Sequence, residues 1–294
     1  MRTLYYSKVI LFGEYSMIFD AVALMVPLQQ FSARWKLGKL TMPRAKKSNE
    51  SICLFRDYLA EQGDLKKYID IESLSKDLRF GLNLASNVPS GYGLGSSGTL
   101  VAAVYDRYAR QHIDDLMQLK TIFGEMESYF HGSSSGIDPL QCYLGQPFRI
   151  SPQGVELIDA GFLKKDIHVC LIDTKIKSNT RPLVQHFKEK RQDGAFLSAF
   201  QRDYVPHVTD CINHLIDGAN EAFFNSLAQL TKAQLQFLRP MITENTFLLF
   251  EQNYDFNFGV KISGSGGGGY VLGFSDDKEK AADLLTDFEV IWIW

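Results

Sequence analysis

A glycine-rich segment at residues 89–98 constrains the fold of this chain more than any other sequence feature. It reads PSGYGLGSSG and lies between a β-rich run and a stretch whose apolar residues recur at helical spacing. Glycine permits positive φ and close backbone approach, and a helix that begins at Ser96 or Ser97 presents free N–H groups and the positive end of its dipole. The segment therefore predicts a loop that binds phosphate groups at the start of a helix.

The loop does not follow the Walker pattern, because no Gly-Lys-Ser or Gly-Lys-Thr sequence comes after it. For this segment taken alone, a plain glycine turn with a serine N-cap on the following helix is an alternative. The choice between these two interpretations therefore depends on the other motifs of the chain.

Length and composition limit the class of protein. The 294 residues are 45% hydrophobic and 22% charged, which allows a large core in one large or two ordinary domains. A formal net charge of −3 gives no basic field for a phosphate backbone, so we expect no nucleic acid partner. The four cysteines form no CxxC pair and are expected to be reduced. The longest clean apolar run, residues 21–28, is far too short for a bilayer, so we expect a cytoplasmic protein with no membrane partner.

Hydrophobic periodicity indicates an α+β fold. Helices are predicted over 114–130, 180–190, 195–216, 220–238 and 277–288, and strands over 8–12, 22–26, 79–84, 168–172, 259–263 and 270–274. Residues 42–51 are polar and basic, which is typical of an exposed connection. The glycines and prolines of 145–154 mark a boundary, so we predict domains at residues 1–150 and 151–294.

Glu127 interrupts an apolar stripe on the predicted helix at 114–130. It lies four residues after Phe123 and three before Phe130, whereas Glu125 falls on the opposite face. An unpaired buried carboxylate costs several kcal/mol, so Glu127 should have a cation partner, either a basic side chain or a metal such as Mg²⁺. A structural ion pair, or a stripe edge that reaches water, is the alternative.

Asp138 follows that helix in a short loop of small residues, HGSSSGIDP at 131–139. Such loops often carry catalytic groups, and Asp138 could accept the proton of a substrate hydroxyl. Because proline follows it, Asp138 could instead be the N-cap of a helix over 140–144.

Two further segments say little about function when each is taken alone. Lys8 opens a β-rich run and, taken alone, is expected on the solvated surface. Residues 261–269 read KISGSGGGG and lie between two predicted strands, which favours a tight loop over a flexible linker.

Taken together and in this order, these segments resemble the GHMP kinase superfamily. Residues 8–15, 89–98 and 261–269 look like its three signature motifs. Within the superfamily, residues 127–138 resemble the mevalonate kinase pattern of a glutamate, His-Gly, small residues and Ser-Gly-Ile-Asp. Residues 173–184 are similar to that family's TK…NT…LV stretch. The resemblance covers nearly the whole chain.

The resemblance implies a fold and an activity. The fold would be a ribosomal protein S5 domain 2-like N-terminal domain and a ferredoxin-like C-terminal domain. The activity would be ATP- and Mg²⁺-dependent phosphorylation of a small-molecule hydroxyl, with mevalonate and the isoprenoid pathway as the leading expectation. A homodimer is one oligomeric state left open by the sequence.

The resemblance also implies roles for single residues. Asp138 would be the base, and Lys8 would lower the charge around it. Ser97 and Glu127 would hold Mg²⁺, and Glu14, Tyr15 and Thr180 would lie at the acceptor. The residues implied to contact the nucleotide are Gly91, Gly93, Leu94, Gly95, Ser96, Ser97, Ser135, Gly264, Gly266 and Gly267.

Two positions depart from the mevalonate kinase pattern. Tyr15 stands where histidine is usual, and Ser178 stands where arginine is frequent. Both positions are expected to face the acceptor, so phosphomevalonate or a sugar stays open as the substrate. A non-catalytic nucleotide-binding relative is a second alternative, although such a protein would not need a base.

Overall fold

The computed structural model describes residues 2–19, 21–164, 166–178 and 180–294, and for Lys164 and Thr180 it describes the backbone alone. The strands are β1 (Tyr5–Phe12), β2 (Ala23–Lys36), β3 (Asn83–Ser86), β4 (Phe148–Ser151), β5 (Gly154–Leu157), β6 (His168–Asp173), β7 (Phe258–Ile262), β8 (Tyr270–Ser275) and β9 (Val290–Trp292). The α-helices are α1 (Pro43–Glu61), α2 (Ile71–Arg79), α3 (Ser96–Tyr108), α4 (Leu116–His131), α5 (Ile137–Leu144), α6 (Thr180–Lys190), α7 (Gly194–Asp203), α8 (Val205–Asp217), α9 (Asn220–Phe237), α10 (Phe247–Glu251) and α11 (Lys278–Leu284).

The chain forms two compact units. The first unit comprises residues up to Lys8, Pro27–Pro89 and Leu94–Gln146, and the second comprises Val9–Val26, Ser90–Gly93 and Pro147–Trp294. Strands β1 and β2 and the glycine-rich segment therefore contribute residues to both units. The domain limits 1–150 and 151–294 stay a prediction.

In the first unit, the end of β2 pairs with β3 in antiparallel register, from Ala33 opposite Ser86 to Lys36 opposite Asn83. Helix α5 packs against both α3 and α4. The side chain of Asp115 caps α4 by accepting hydrogen bonds from two backbone N–H groups, which fixes where that helix begins. This packing brings the start of α5 close to α3 and α4, the helices that carry Ser97 and Glu127.

In the second unit, four strands lie in the order β7-β8-β6-β9, and all neighbours are antiparallel. Helix α9 packs on β7 and α8 packs on α9. Apolar rings fill the space between the elements; Phe12 and Phe274 lie with their centroids 5.5 Å apart. The antiparallel sheets with packed helices confirm the predicted α+β class.

Residues 43–51 form the first turns of helix α1 and Met42 is its N-cap, so the predicted connection is wrong although most of these residues are exposed as predicted. The periodicity gave no helix signal because these turns are largely exposed and the buried apolar face begins only at Ile52. Polar side chains attach this part of the helix instead. Asn49 donates to the carbonyls of Leu78 (3.1 Å) and Leu82 (2.7 Å).

Three other elements differ from their predicted limits. The predicted strand at 79–84 is wrong in its first half, because α2 continues to Arg79 and β3 begins only at Asn83. The predicted helix at 195–216 is two helices, which break at Tyr204 where Pro206 follows in the first turn of α8. The last helix is shorter than predicted, and β9 follows it. In the described parts of the chain, no helix combines the length and apolar character needed to cross a membrane.

Candidate active site

The glycine-rich segment has the backbone that its sequence predicts. Gly91, Gly93 and Gly95 adopt φ values of 82°, 71° and 76°. Helix α3 begins at Ser96, its N-cap is Gly95, and no side chain caps it. The alternative of a serine N-cap is therefore wrong, and the first turn of α3 is left free of a side-chain cap, as an anion site requires.

This segment is attached to β1 in the first unit. The carbonyl of Leu94 accepts hydrogen bonds from the Ser7 hydroxyl (2.7 Å) and from the backbone N–H of Lys8 (3.4 Å). A Cβ at Gly95 would lie 2.9 Å from Cγ of Lys8, so this position needs glycine both for its φ and for the close approach. The lysine side chain therefore runs directly beneath the loop.

Lys8 is buried, and its ammonium group forms an ion pair with Asp138. Nζ lies 2.8 Å from Oδ2, and the side chains are 4% and 32% exposed. The expectation that Lys8 lies on the solvated surface is wrong, because its long side chain crosses the core to reach a carboxylate that remains accessible. The carboxylate of Asp138 is therefore partly accessible to solvent, and the buried ammonium group of Lys8 balances its charge.

Asp138 does not cap a helix. Helix α5 begins at Ile137 with Gly136 as its N-cap, and Asp138 lies in the first turn without a capping hydrogen bond. Only glycine fits at position 136, because φ is 73° and a Cβ would lie 1.9 Å from the carbonyl oxygen of Lys120. The N-cap alternative for Asp138 is therefore wrong.

Glu127 is buried, as its place in the apolar stripe predicts, and is 3% exposed. Glu125 on the other face is exposed. The carboxylate of Glu127 accepts hydrogen bonds from Ser97 Oγ (2.8 Å at Oε1) and Ser134 Oγ (2.5 Å at Oε2). Burial, and secondly the charge of Asp138, raise the pKa of Glu127 to about 7. The hydrogen bonds from Ser134 and Ser97 and the charge of Lys8 lower the pKa of Glu127 and offset this rise only in part.

The donor set fits a magnesium ion. Among the described residues, Glu127 forms no ion pair within 4.0 Å, so the predicted basic side-chain partner is not found there. A buried carboxylate that lacks a full counter-charge, together with the hydroxyl of Ser97, offers the oxygen ligands that Mg²⁺ prefers. The described residues contain no group of three or more His, Cys, Asp and Glu side chains suited to a metal.

Two residues of this cluster are absent from the sequence prediction. His131 lies 3.1 Å from the Ser97 hydroxyl through Nε2, and Ser134 binds Glu127. Helical spacing could have found His131, since it is four residues after Glu127 on α4. Ser134 gave no signal beyond its place in the loop. The predicted Ser135 is exposed, and its Oγ lies 3.5 Å from the N–H of Ile137.

The second unit contains Glu14, predicted at the acceptor, in a different environment. Its carboxylate is 3% exposed and is paired with Lys261, which is completely buried. Lys261 also donates to the carbonyl of Ile262 (2.6 Å), and its ammonium lies 5.5 Å from the ring centre of Phe12. Glu14 is thus held inside the unit by a charge at the start of the third motif.

The glycine loop at 264–269 is fastened by neighbours in the second unit. The hydroxyl of Tyr15 donates to the Ser265 carbonyl (2.8 Å), and that of Ser178 donates to the Gly266 carbonyl (2.8 Å). The N–H of Gly267 donates to the Met241 carbonyl (2.6 Å). The predicted tight loop is confirmed and the flexible linker is excluded. The side chain of Thr180 lies outside the described residues.

Comparison with known families identifies part of the chain. Residues 60–146 match the family described as GHMP kinases N terminal domain. The matched residues include Ser97, Glu127 and Asp138, whereas Lys8 and the loop at 264–269 lie outside the match.

Several known proteins resemble this chain over most of its length. A mevalonate kinase from Pyrococcus abyssi is 22% identical over 93% of this chain and 88% of its own. A structure described as L. major mevalonate kinase in complex with R-mevalonate superposes with a TM-score of 0.67 at 19% identity, covering 98% of this chain and 90% of that one. A Streptococcus pneumoniae phosphomevalonate kinase, in complex with phosphomevalonate and AMPPNP, has a TM-score of 0.64 at 18% identity, with 100% of both chains covered. These likenesses confirm the two-domain α+β fold of the GHMP kinases and the resemblance to mevalonate kinase.

Proposed function

We propose that this protein is an ATP-dependent kinase that phosphorylates a hydroxyl of a small molecule, with mevalonate converted to 5-phosphomevalonate as the leading reaction. The observation that carries the proposal is the ion pair between buried Lys8 and the partly exposed Asp138, at 2.8 Å. A module that only binds a nucleotide has no use for an accessible carboxylate with its own buried counter-charge.

Asp138 is the proposed base. The acceptor hydroxyl transfers its proton to the carboxylate as its oxygen attacks the γ-phosphorus of ATP. A new bond forms between that oxygen and phosphorus, and the bond from phosphorus to the bridging oxygen of ADP breaks. Lys8 keeps Asp138 oriented and places a positive charge near the transferring group, which offsets the charge on the phosphoryl oxygens.

The uncapped first turn of α3 is the proposed site of nucleotide phosphates. Residues Gly91 to Ser97 supply backbone N–H groups and a hydroxyl at a helix N-terminus. Ser97 and Glu127 would hold Mg²⁺, which when bound neutralises the charge of the phosphates. The loop at 264–269 is proposed to contact phosphates as well, by close approach of its backbone.

Mevalonate is favoured as the acceptor by two observations. The residues from Glu127 to Asp138 follow the mevalonate kinase pattern, and the curated relatives are mevalonate kinases at 20–22% identity. The resemblance assigns Glu14, Tyr15 and Thr180 to the acceptor, and of these Glu14 and Thr180 are proposed to contact it. The cytoplasmic location, the domain limits and a homodimeric state stay predictions.

A coupled assay of ADP release tests the proposal. The purified protein would be supplied with ATP and Mg²⁺ and, in turn, with mevalonate, phosphomevalonate, galactose, homoserine and heptose phosphates. We expect turnover with mevalonate. Turnover confined to phosphomevalonate or a sugar would exclude mevalonate but keep the kinase, and AMPPNP binding without turnover of any acceptor would favour the non-catalytic alternative.

A further inference from the structure

The two residues that depart from the mevalonate kinase pattern contact the same short segment. Tyr15 binds the carbonyl of Ser265, and Ser178 binds the carbonyl of the next residue, Gly266. The hydroxyls of Ser178 and Ser265 also lie 3.3 Å apart. Residues 15 and 178 are far apart in the sequence, yet their hydroxyls meet on one turn of the glycine loop.

Tyr15 offers little surface to a small molecule. It is 2% exposed, and its ring packs on Phe187 with centroids 4.5 Å apart. Burial, and secondly the charge of Glu14, raise the pKa of the phenol well above its usual value. The hydroxyl therefore stays protonated and donates its hydrogen bond to the loop, at the carbonyl of Ser265.

The loop depends on such partners for its shape. Gly264 and all four glycines at 266–269 have positive φ, between 60° and 139°. Glycine loses more backbone entropy on ordering than any other residue, and these residues have no side chains with which to anchor themselves. The loop is therefore held from outside. Its partners are the hydroxyls of Tyr15 and Ser178, the carbonyls of Met241 and Ile176, and Thr174 at its last glycine.

We propose that Tyr15 and Ser178 are positioning residues that set the shape of the loop at 264–269 for the phosphates of the nucleotide, and that they do not select the acceptor. The inference rests on the proposed function, because nucleotide binding by this loop is part of it. Histidine and arginine, the residues frequent at these positions in the family pattern, would replace both hydroxyls.

Tyr15→Phe and Ser178→Ala remove one hydroxyl each and keep the packing of the ring on Phe187. We expect each variant to weaken AMPPNP binding, measured by calorimetry with Mg²⁺, by about 2- to 10-fold, which is the loss expected for one hydrogen bond. Amide hydrogen exchange of residues 264–269 should become faster in the absence of any ligand. The KM for the acceptor should stay unchanged.

Tyr254→Phe and Ser226→Ala are matched controls in the same unit. The Tyr254 hydroxyl donates to the carbonyl of Leu249 (3.3 Å), and Ser226 Oγ lies 3.0 Å from Nδ1 of His214. Both controls should leave AMPPNP binding and exchange at 264–269 unchanged.

Two results would overturn the inference. One is a higher KM for the acceptor with AMPPNP affinity unchanged, and the other is unchanged hydrogen exchange at 264–269 in both variants. A wild-type protein that binds no AMPPNP would instead refute the proposed function together with the nucleotide part of the inference. The exchange rates would in that case still decide whether the two hydroxyls hold the loop.

Discussion

Glu14 and Lys261 form an ion pair inside the second unit, although 247 residues separate them in the sequence. The lysine is fully buried and the glutamate side chain is 3% exposed. Burial lowers the pKa of Lys261, while the charge of Glu14 and its hydrogen bond act in the opposite direction. The pair therefore joins the end of the first signature motif to the start of the third.

Removing one partner of this pair should be more harmful than removing both. Glu14→Gln leaves a buried ammonium without its counter-charge, and we expect a loss of about 3–5 kcal/mol in the free energy of unfolding. The double variant Glu14→Gln/Lys261→Met should recover part of that loss. Urea denaturation of the three proteins measures the difference; a double variant no more stable than Glu14→Gln would show that the unpaired ammonium of Lys261 is not the cause of the loss.

Glu127 and Glu125 form a matched pair on one helix. Glu127→Gln removes the proposed metal carboxylate, and we expect turnover to fall on the order of 10²-fold. Glu125→Gln should be nearly silent, because its side chain is exposed on the other face of α4. Initial rates with mevalonate, ATP and varied Mg²⁺ measure both effects. Equal losses from the two substitutions would contradict the assignment of Glu127.

The raised pKa of Glu127 also predicts how stability depends on pH in the metal-free protein. Between the ordinary glutamate pKa of 4.5 and the folded-state pKa of about 7, the folded state keeps a proton that the unfolded state has released. Stability should therefore fall as pH rises through this window, on the order of 3 kcal/mol in total, and level off above it. Glu127→Gln should lose this component. Urea midpoints from pH 4.5 to 8 in EDTA measure it, and parallel curves for the two proteins would exclude the effect.

Local patterns predicted the parts of the site that local forces determine. The glycines at 91, 93 and 95 indicated positive φ, and the apolar stripe on α4 placed Glu127 inside and Glu125 outside. Both inferences use spacing within one element, so the remainder of the fold cannot change them much. The apolar pattern did not indicate the first turns of α1, because polar side chains such as Asn49 join them to the rest of the fold.

Long-range partners could not be predicted in the same way. Nothing around Lys8 shows that its ammonium group reaches Asp138, 130 positions later in the sequence. The hydroxyl of Tyr15 likewise meets Ser265 only because the second unit folds residues 9–26 against the glycine loop. The resemblance supplied roles for these residues, but the structure was needed to show which groups each one contacts.

Asp138→Asn tests the central claim most directly. The amide cannot take a proton, and a positioned base contributes on the order of 10² to 10⁴-fold in rate. Asp77→Asn is the matched control, because Asp77 lies in the same unit, is 28% exposed and pairs with Arg107 at 2.6 Å. Circular dichroism and AMPPNP binding should show that both variants fold, since Gly136 and not Asp138 is the N-cap of α5.

The decisive measurement is kcat with mevalonate and ATP for wild type, Asp138→Asn and Asp77→Asn. We predict that kcat falls about 10² to 10⁴-fold in Asp138→Asn alone, with the affinity for AMPPNP retained. A folded Asp138→Asn protein with wild-type kcat would contradict the account and remove Asp138 from the mechanism.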